Sequence, residues 1–161
     1  VTTIVATRTS ILADSQCTAA SPFKTSKLRQ ITCKKTGEEY LCGGAGYLEE
    51  LHFIINLIEL QGLDELWKLH LGEHWPPKLL KDGDTDVLVV TRNREIYKVT
   101  HHMIPMPIND PWHAMGSGGD FAKAAMLLGK TPHEAIEFAA EHDPWTKGPV
   151  HELKFKRHRK E

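Results

Sequence analysis

No run of apolar residues approaches the roughly 18 that a bilayer-spanning helix needs, so no transmembrane helix is expected. The amino terminus has no basic segment followed by an apolar stretch, and no secretory signal is expected there. Cysteine is scarce. Cys17, Cys33 and Cys42 form no CxxC pair and leave at least one thiol unpaired. This argues against a disulfide framework and fits a reducing compartment, so a cytoplasmic location is expected. Neither sign of charge dominates, since 20 Lys and Arg stand against 21 Asp and Glu for a formal net charge of -1. No global field therefore recruits nucleic acid or an anionic membrane. The exception is local: the run from Lys154 to Lys160 reads as a solvated basic tail over 154–161 rather than a nucleic-acid site.

What the chain does have is the profile of one globular domain spanning 1–161, with 40% hydrophobic and 25% charged residues. Thr2 to Thr7 is β-branched and predicts a strand, followed by a turn at Arg8-Thr9-Ser10 and a second strand at Ile11-Leu12-Ala13. Ser15 to Ser26 is small and polar, is broken by Pro22, and reads as a loop. Lys27 to Thr32 and Glu39 to Cys42 predict two more strands. Gly43-Gly44-Ala45-Gly46 is expected to stop the second of these and open a helix, in which Leu48, Leu51, Ile55 and Ile58 follow the 3.6-residue period. Gln61-Gly62 ends that helix. Leu63 to His70 predicts a shorter one, which Pro76-Pro77 cannot continue.

Val87 to Val90 and Ile96 to Val99 predict a hairpin around Arg92-Asn93-Arg94. A proline-rich stretch from Pro105 to Pro111 then leads to a short segment ending at Met115. Gly116-Ser117-Gly118-Gly119 precedes a helix over Phe121 to Leu128, with Gly129 as its left-handed stop. Thr131-Pro132-His133-Glu134 is a capping box with proline at the first helical position, opening a last helix to about His142. Val150 to Phe155 closes the chain as a strand. Strands, helices, a hairpin, two helices and a strand make an α+β order rather than alternating βαβ.

Several short motifs carry chemistry: Thr2-Thr3-Ile4-Val5 at the start, Ala13-Asp14-Ser15, Lys27 within Ser26-Lys27-Leu28-Arg29, and Gly43-Gly44-Ala45. Late in the chain come Gly116-Ser117-Gly118-Gly119 and Asp143-Pro144-Trp145-Thr146-Lys147-Gly148. In this order, over nearly the whole chain, the sequence resembles the N-terminal nucleophile (Ntn) hydrolases of the proteasome β-subunit and HslV type. The resemblance implies a four-layer αββα sandwich, two antiparallel sheets flanked by helices, and threonine-type peptide hydrolysis.

The chemistry explains why these residue types belong together. A threonine hydroxyl stays protonated at neutral pH and is a poor nucleophile. A free α-amine on the same residue, with an unperturbed pKa of about 7.7–8.0, can accept its proton. By the resemblance, Thr2 is the nucleophile, Lys27 the cation that favours loss of its proton, and Asp14 the anionic partner that fixes the lysine. Ser117, Asp143 and Thr146 match the group that hydrogen-bonds around the threonine amine. The backbone N–H of Gly43 matches the oxyanion donor, aided by the following helix N-terminus. Cys17, Thr18, Thr25, Leu41 and Ala45 match the first specificity pocket. No metal or organic cofactor is implied. The implied partners are a peptide or unfolded-protein substrate, further copies of the chain, and an ATP-dependent unfoldase to feed the assembly.

Two features depart from that family. Val1 precedes Thr2, and an amide-linked nitrogen has no lone pair to serve as base, so the chemistry requires Val1 to be removed. Between Gly46 and Asp84, where the family has two long helices, Gly72 and Pro76-Pro77 cut the second short and put ring formation in doubt.

Three rival functions follow. The first is a catalytically inactive scaffold or assembly subunit of the same fold, a virion component included. The second is amide hydrolysis on a small molecule. The third is a zinc site at His70-Leu71-Gly72-Glu73-His74, an H-x-x-E-H pattern that Gly72 and the prolines weaken as a helix. His101 and His102 are adjacent, so on a strand they would face opposite sides and could not chelate one metal.

Overall fold

The computed structural model describes residues 2–17, 23–24, 26–77, 80 and 84–157. Strands β1 (Thr3–Thr7) and β2 (Ser10–Ala13) form a hairpin; β10 (Trp112–Gly116) flanks β1 and β11 (His151–Lys154) flanks β2 in an antiparallel four-stranded sheet. A second antiparallel sheet runs β5 (Leu28–Thr32), β6 (Glu39–Ala45), β7 (Asp86–Thr91), β8 (Ile96–Val99) and β9 (Pro105–Ile108). Helix α1 (Leu48–Gln61) and a 3-10 helix (Leu63–Leu71) follow β6, and α2 (Gly119–Leu127) and α3 (Pro132–His142) follow β10.

Side chains on a strand alternate between its faces, so each sheet buries both. In β1, Ile4 and Ala6 meet Ile11, Leu28, Leu41, Leu88 and Ile96 in the gap between the sheets. Val5 and Leu12 point the other way, onto Ala122, Ala125, Ile136 and Ala139 of α2 and α3. On the far side of the five-stranded sheet, Cys42, Val87 and Val89 pack against Leu51, Ile54, Ile55 and Ile58 of α1. Three apolar seams thus separate four layers: helices, sheet, sheet, helices. The α+β sandwich expected of the sequence is the architecture observed.

Most elements fall where the sequence places them. Thr131 caps α3 by accepting the Glu134 N–H at 3.2 Å. Gly62 (φ +75°) stops α1, and Gly129 (φ +90°) stops α2. Three readings need correction. The loop after Asp14 contains a two-stranded pair, β3 (Gln16–Cys17) with β4 (Phe23–Lys24). The proline-rich stretch contains β9 and leads into β10. Pro105 and Pro107 are tolerated because β9 is a sheet edge, where a missing N–H breaks no ladder on its open side. The glycines after Cys42 do not stop β6, which continues through Gly43 and Gly44 to Ala45. A Cβ on Gly44 would lie 2.3 Å from Leu51 Cδ1 and 2.6 Å from the Asp86 carbonyl, so glycine there lets α1 and β7 close on the strand.

Candidate active site

The ends of five elements, β1, β2, β5, β10 and α3, converge at one end of the sandwich. Register decides the first two. Ile4 pairs with Ala13, so the next residues outward, Thr3 and Asp14, are neighbours, and the Asp14 N–H donates to the Thr3 carbonyl at 3.2 Å. Thr2 shares the side-chain parity of Ile4 and so faces the gap between the sheets. Lys27 enters that gap from the start of β5. The end of β10 brings Ser117, because Gly116 pairs with Thr3. The end of α3 brings Asp143 as its C-cap residue.

Thr2, Asp14 and Lys27 are at most 5% exposed. The Thr2 hydroxyl lies in direct contact with both charged groups, accepting from Lys27 Nζ and donating to Asp14 Oδ1. Lys27 Nζ also donates to Asp14 Oδ1 at 2.9 Å. The backbone N–H groups of Thr3 (3.0 Å, to Oδ1) and Lys147 (3.1 Å, to Oδ2) also donate to the aspartate. A carboxylate is an acceptor only, so the single hydroxyl proton of Thr2 points at Asp14, and the Lys27 ammonium polarises the oxygen from the other side.

A second carboxylate lies across the Thr2 backbone. Asp143 Oδ2 accepts from Ser117 Oγ and from Thr146 Oγ1, each at 2.6 Å, and its Oδ1 accepts the Trp145 N–H at 3.2 Å. Burial pushes this carboxyl up, but the donations from Ser117, Thr146 and Trp145 outweigh it and hold Asp143 below the ordinary carboxylate range. Ser117 Oγ also lies 3.4 Å from the Thr2 carbonyl. Its one proton goes to the shorter contact with Asp143.

The backbone approaches closely here. A Cβ on Gly116 (φ +97°) would lie 1.9 Å from the Thr2 carbonyl oxygen, so only glycine allows β10 to pass this near. Gly43 is beside the site, since its pair partner Leu28 follows Lys27 and a Cβ on it would meet the Lys27 carbonyl at 3.4 Å. It is inside β6, however, five positions before Leu48 opens α1. Gly43 therefore belongs to the strand and not to the first turn of α1.

Of the expected pocket residues, Thr18 and Thr25 lie outside the described residues, and Cys17 is placed only as the backbone of β3. Leu41 is wholly buried in the seam between the sheets and Ala45 is half-buried at the end of β6. Leu41 therefore presents no surface to a ligand in this state. The His70–His74 run is not an α-helical turn: the 3-10 helix ends at Leu71, and His70 Nε2 meets the His102 carbonyl at 2.5 Å. Among the described residues, no group of three or more His, Cys, Asp or Glu is arranged to hold a metal ion. Burial pushes the Cys42 thiol up, away from the thiolate form.

No protein-family model matches the sequence and no curated protein matches it. The structure does have similar solved structures. Eukaryotic HslV from Trypanosoma brucei superposes with a TM-score of 0.68 at 20% identity, over 95% of this chain and 99% of that one. BPH of Thiobacillus denitrificans, solved in complex with epoxomicin, gives 0.66 at 17%, over 96% and 97%. Anbu of Yersinia bercovieri, described as an ancestral beta-subunit, gives 0.66 at 11%, over 94% and 80%. The chain has the Ntn-hydrolase fold.

Within this Ntn-hydrolase fold, two contacts at the site escaped the sequence. One is the hydroxyl of Thr3, which is fully buried and 2.6 Å from Thr146 Oγ1. The other is the Lys147 N–H on Asp14. The Lys147 contact follows from pairing β11 with β2, which no local pattern announces. Thr3 carried a signal, a hydroxyl on a strand position whose neighbours are apolar, but its partner is 143 residues away. Among the described residues, no helix is long and apolar enough to cross a membrane.

Proposed function

We propose that the chain is a threonine-type peptidase in which Thr2 is the nucleophile, acting in a proteasome-like assembly of further copies. The observation that carries this reading is the buried Thr2 hydroxyl, held between the Lys27 ammonium and the Asp14 carboxylate. That environment favours loss of the hydroxyl proton and develops no charge without a partner.

With Val1 removed, the Thr2 α-amine accepts the hydroxyl proton as Oγ1 attacks the carbonyl carbon of the scissile peptide bond. The tetrahedral oxyanion collapses, the C–N bond breaks, and the ammonium returns the proton to the leaving amine. An ester remains on Thr2. Water, deprotonated by the same amine, hydrolyses it and restores the hydroxyl. Lys27 stabilises charge on Oγ1 throughout, Asp14 holds Lys27, and Ser117, Asp143 and Thr146 form the polar wall beside the Thr2 backbone. Gly43 is the oxyanion donor in this reading. The exposed Leu127 and Leu128 at the end of α2, 71% and 84% accessible, support association with further copies. An ATP-dependent unfoldase and a cytoplasmic setting complete the proposal.

The second reading is a non-catalytic subunit of the same fold, in which the residue before Thr2 is retained and its amide leaves no base. Epoxomicin, the molecule bound to BPH, separates the two. A chain beginning at Thr2 is expected to hydrolyse unfolded-protein substrates and be blocked by epoxomicin, and Thr2→Ala to abolish both. A native assembly that retains Val1 and ignores the inhibitor would establish the non-catalytic subunit instead.

A further inference from the structure

We propose that Thr3 is a positioning residue of the Thr2 site, its hydroxyl orienting the Asp143 carboxylate through Thr146. The inference rests on the peptidase reading for its kinetic consequence and on hydrogen-bond geometry for the rest. Thr146 Oγ1 has one proton, and Asp143 Oδ2 at 2.6 Å takes it, since a carboxylate can only accept. The contact of 2.6 Å between Thr3 Oγ1 and Thr146 Oγ1 can then be filled only by the Thr3 proton. The direction of the chain is thereby fixed: Thr3 donates to Thr146, Thr146 to Asp143, and Ser117 donates to the same Asp143 oxygen.

Serial donation of this kind polarises each hydroxyl toward the next and strengthens the last bond. Thr3 and Thr146 are wholly buried, so no water replaces either partner cheaply. The site is also built around the pair. A Cβ on Gly118 would lie 2.1 Å from Thr3 Oγ1 and 2.8 Å from Thr146 Oγ1, so the two hydroxyls occupy space that residue 118 leaves by being glycine. At its other end Thr3 donates its N–H to Asp14 Oδ1 at 3.0 Å. One residue next to the nucleophile therefore ties both carboxylates to the strand that carries Thr2.

The test compares Thr3→Val, which keeps the shape and loses the hydroxyl, with Thr3→Ser, which keeps the hydroxyl. Thr3→Ala replaces the valine variant if that variant does not fold by circular dichroism. Carbon-13 titration of the Asp143 carboxyl, in chains beginning at Thr2, is expected to move up in Thr3→Val and return to the parent midpoint in Thr3→Ser. Peptide hydrolysis is expected to lose about three- to tenfold in kcat with little change in KM, the serine variant restoring it. An Asp143 midpoint unchanged in the hydroxyl-free variant would overturn the proposal. A parent chain that neither hydrolyses peptides nor reacts with epoxomicin would instead overturn the peptidase reading, and the titration would still decide the role of Thr3.

Discussion

Lys27 Nζ and Asp14 Oδ1 lie 2.9 Å apart with both side chains at most 5% exposed, and the Thr2 hydroxyl bridges them. A buried ion pair contributes little net stability when intact, yet removing one partner strands the other charge at a cost of about 3–5 kcal/mol. In chains beginning at Thr2, and on the peptidase reading, Lys27→Met is therefore expected to lower both folding stability and hydrolysis, the latter by about a hundredfold or more. Urea unfolding and peptide turnover on the same preparation check the two effects. Loss of stability without loss of turnover would remove Lys27 from the chemistry.

Gly116→Ala tests the close approach of β10 to Thr2. The new Cβ would be placed 1.9 Å from the Thr2 carbonyl oxygen at a φ of +97°. Strain and displacement together are expected to destabilise the fold by about 1–3 kcal/mol. Because the clash falls on Thr2 itself, reaction with epoxomicin should slow more than thermal stability explains. A reaction rate matching the parent would contradict that geometry.

Asp143 supplies a pH dependence with a definite sign. Its carboxyl is held below its ordinary value; an unfolded aspartate titrates at about 3.9. A depressed carboxylate stabilises the fold fully above the unfolded pKa, and that contribution is lost as the pH falls through the folded one. Asp143→Asn is expected to cost about 1.5–3 kcal/mol at neutral pH. In urea titrations the difference should hold from about pH 7 to 5 and shrink below about pH 4. A difference that grows on acidification would reverse the assignment.

Thr131→Ala removes the cap of α3, whose oxygen accepts the Glu134 N–H at 3.2 Å. The expected cost is about 1 kcal/mol, or a fall of about 2–4 °C in Tm. Hydrolysis should be unchanged at a temperature where both proteins are folded, since the cap lies at the far end of α3 from Asp143. Calorimetry and turnover measure the two separately.

How much of this was legible in the sequence follows the range of each interaction. The cap of α3, the glycine stops of α1 and α2, and the β7–β8 hairpin are set within a few residues, and they fall where local rules put them. Strand β9 defeated those rules because proline normally argues against a strand. Its edge position, which makes the prolines harmless, is a fact of the whole sheet. β6 ran through its glycines for a similar reason: the local signal said stop, and close packing of α1 and β7 required glycine within the strand.

The same division holds at the site. Thr2, Asp14 and Lys27 could be nominated from their motifs, and the structure brings all three into direct contact. Ser117, Asp143 and Thr146 likewise come together. What the sequence could not show was the join between the two groups through Thr3, because it depends on β1 lying against the segment after α3. Leu41 shows how far a motif match is from a packed position. The resemblance assigns it to the specificity pocket, and sheet packing buries its side chain completely.

The most direct measurement of Thr2 as nucleophile is the intact mass of a chain beginning at Thr2 after incubation with epoxomicin, with peptide mapping of the modified residue. The expected result is a gain of one inhibitor mass on Thr2, absent in Thr2→Ala and in a chain that retains Val1. A folded chain with a free Thr2 that gains no mass, or gains it on another residue, would contradict the assignment of Thr2 as the nucleophile.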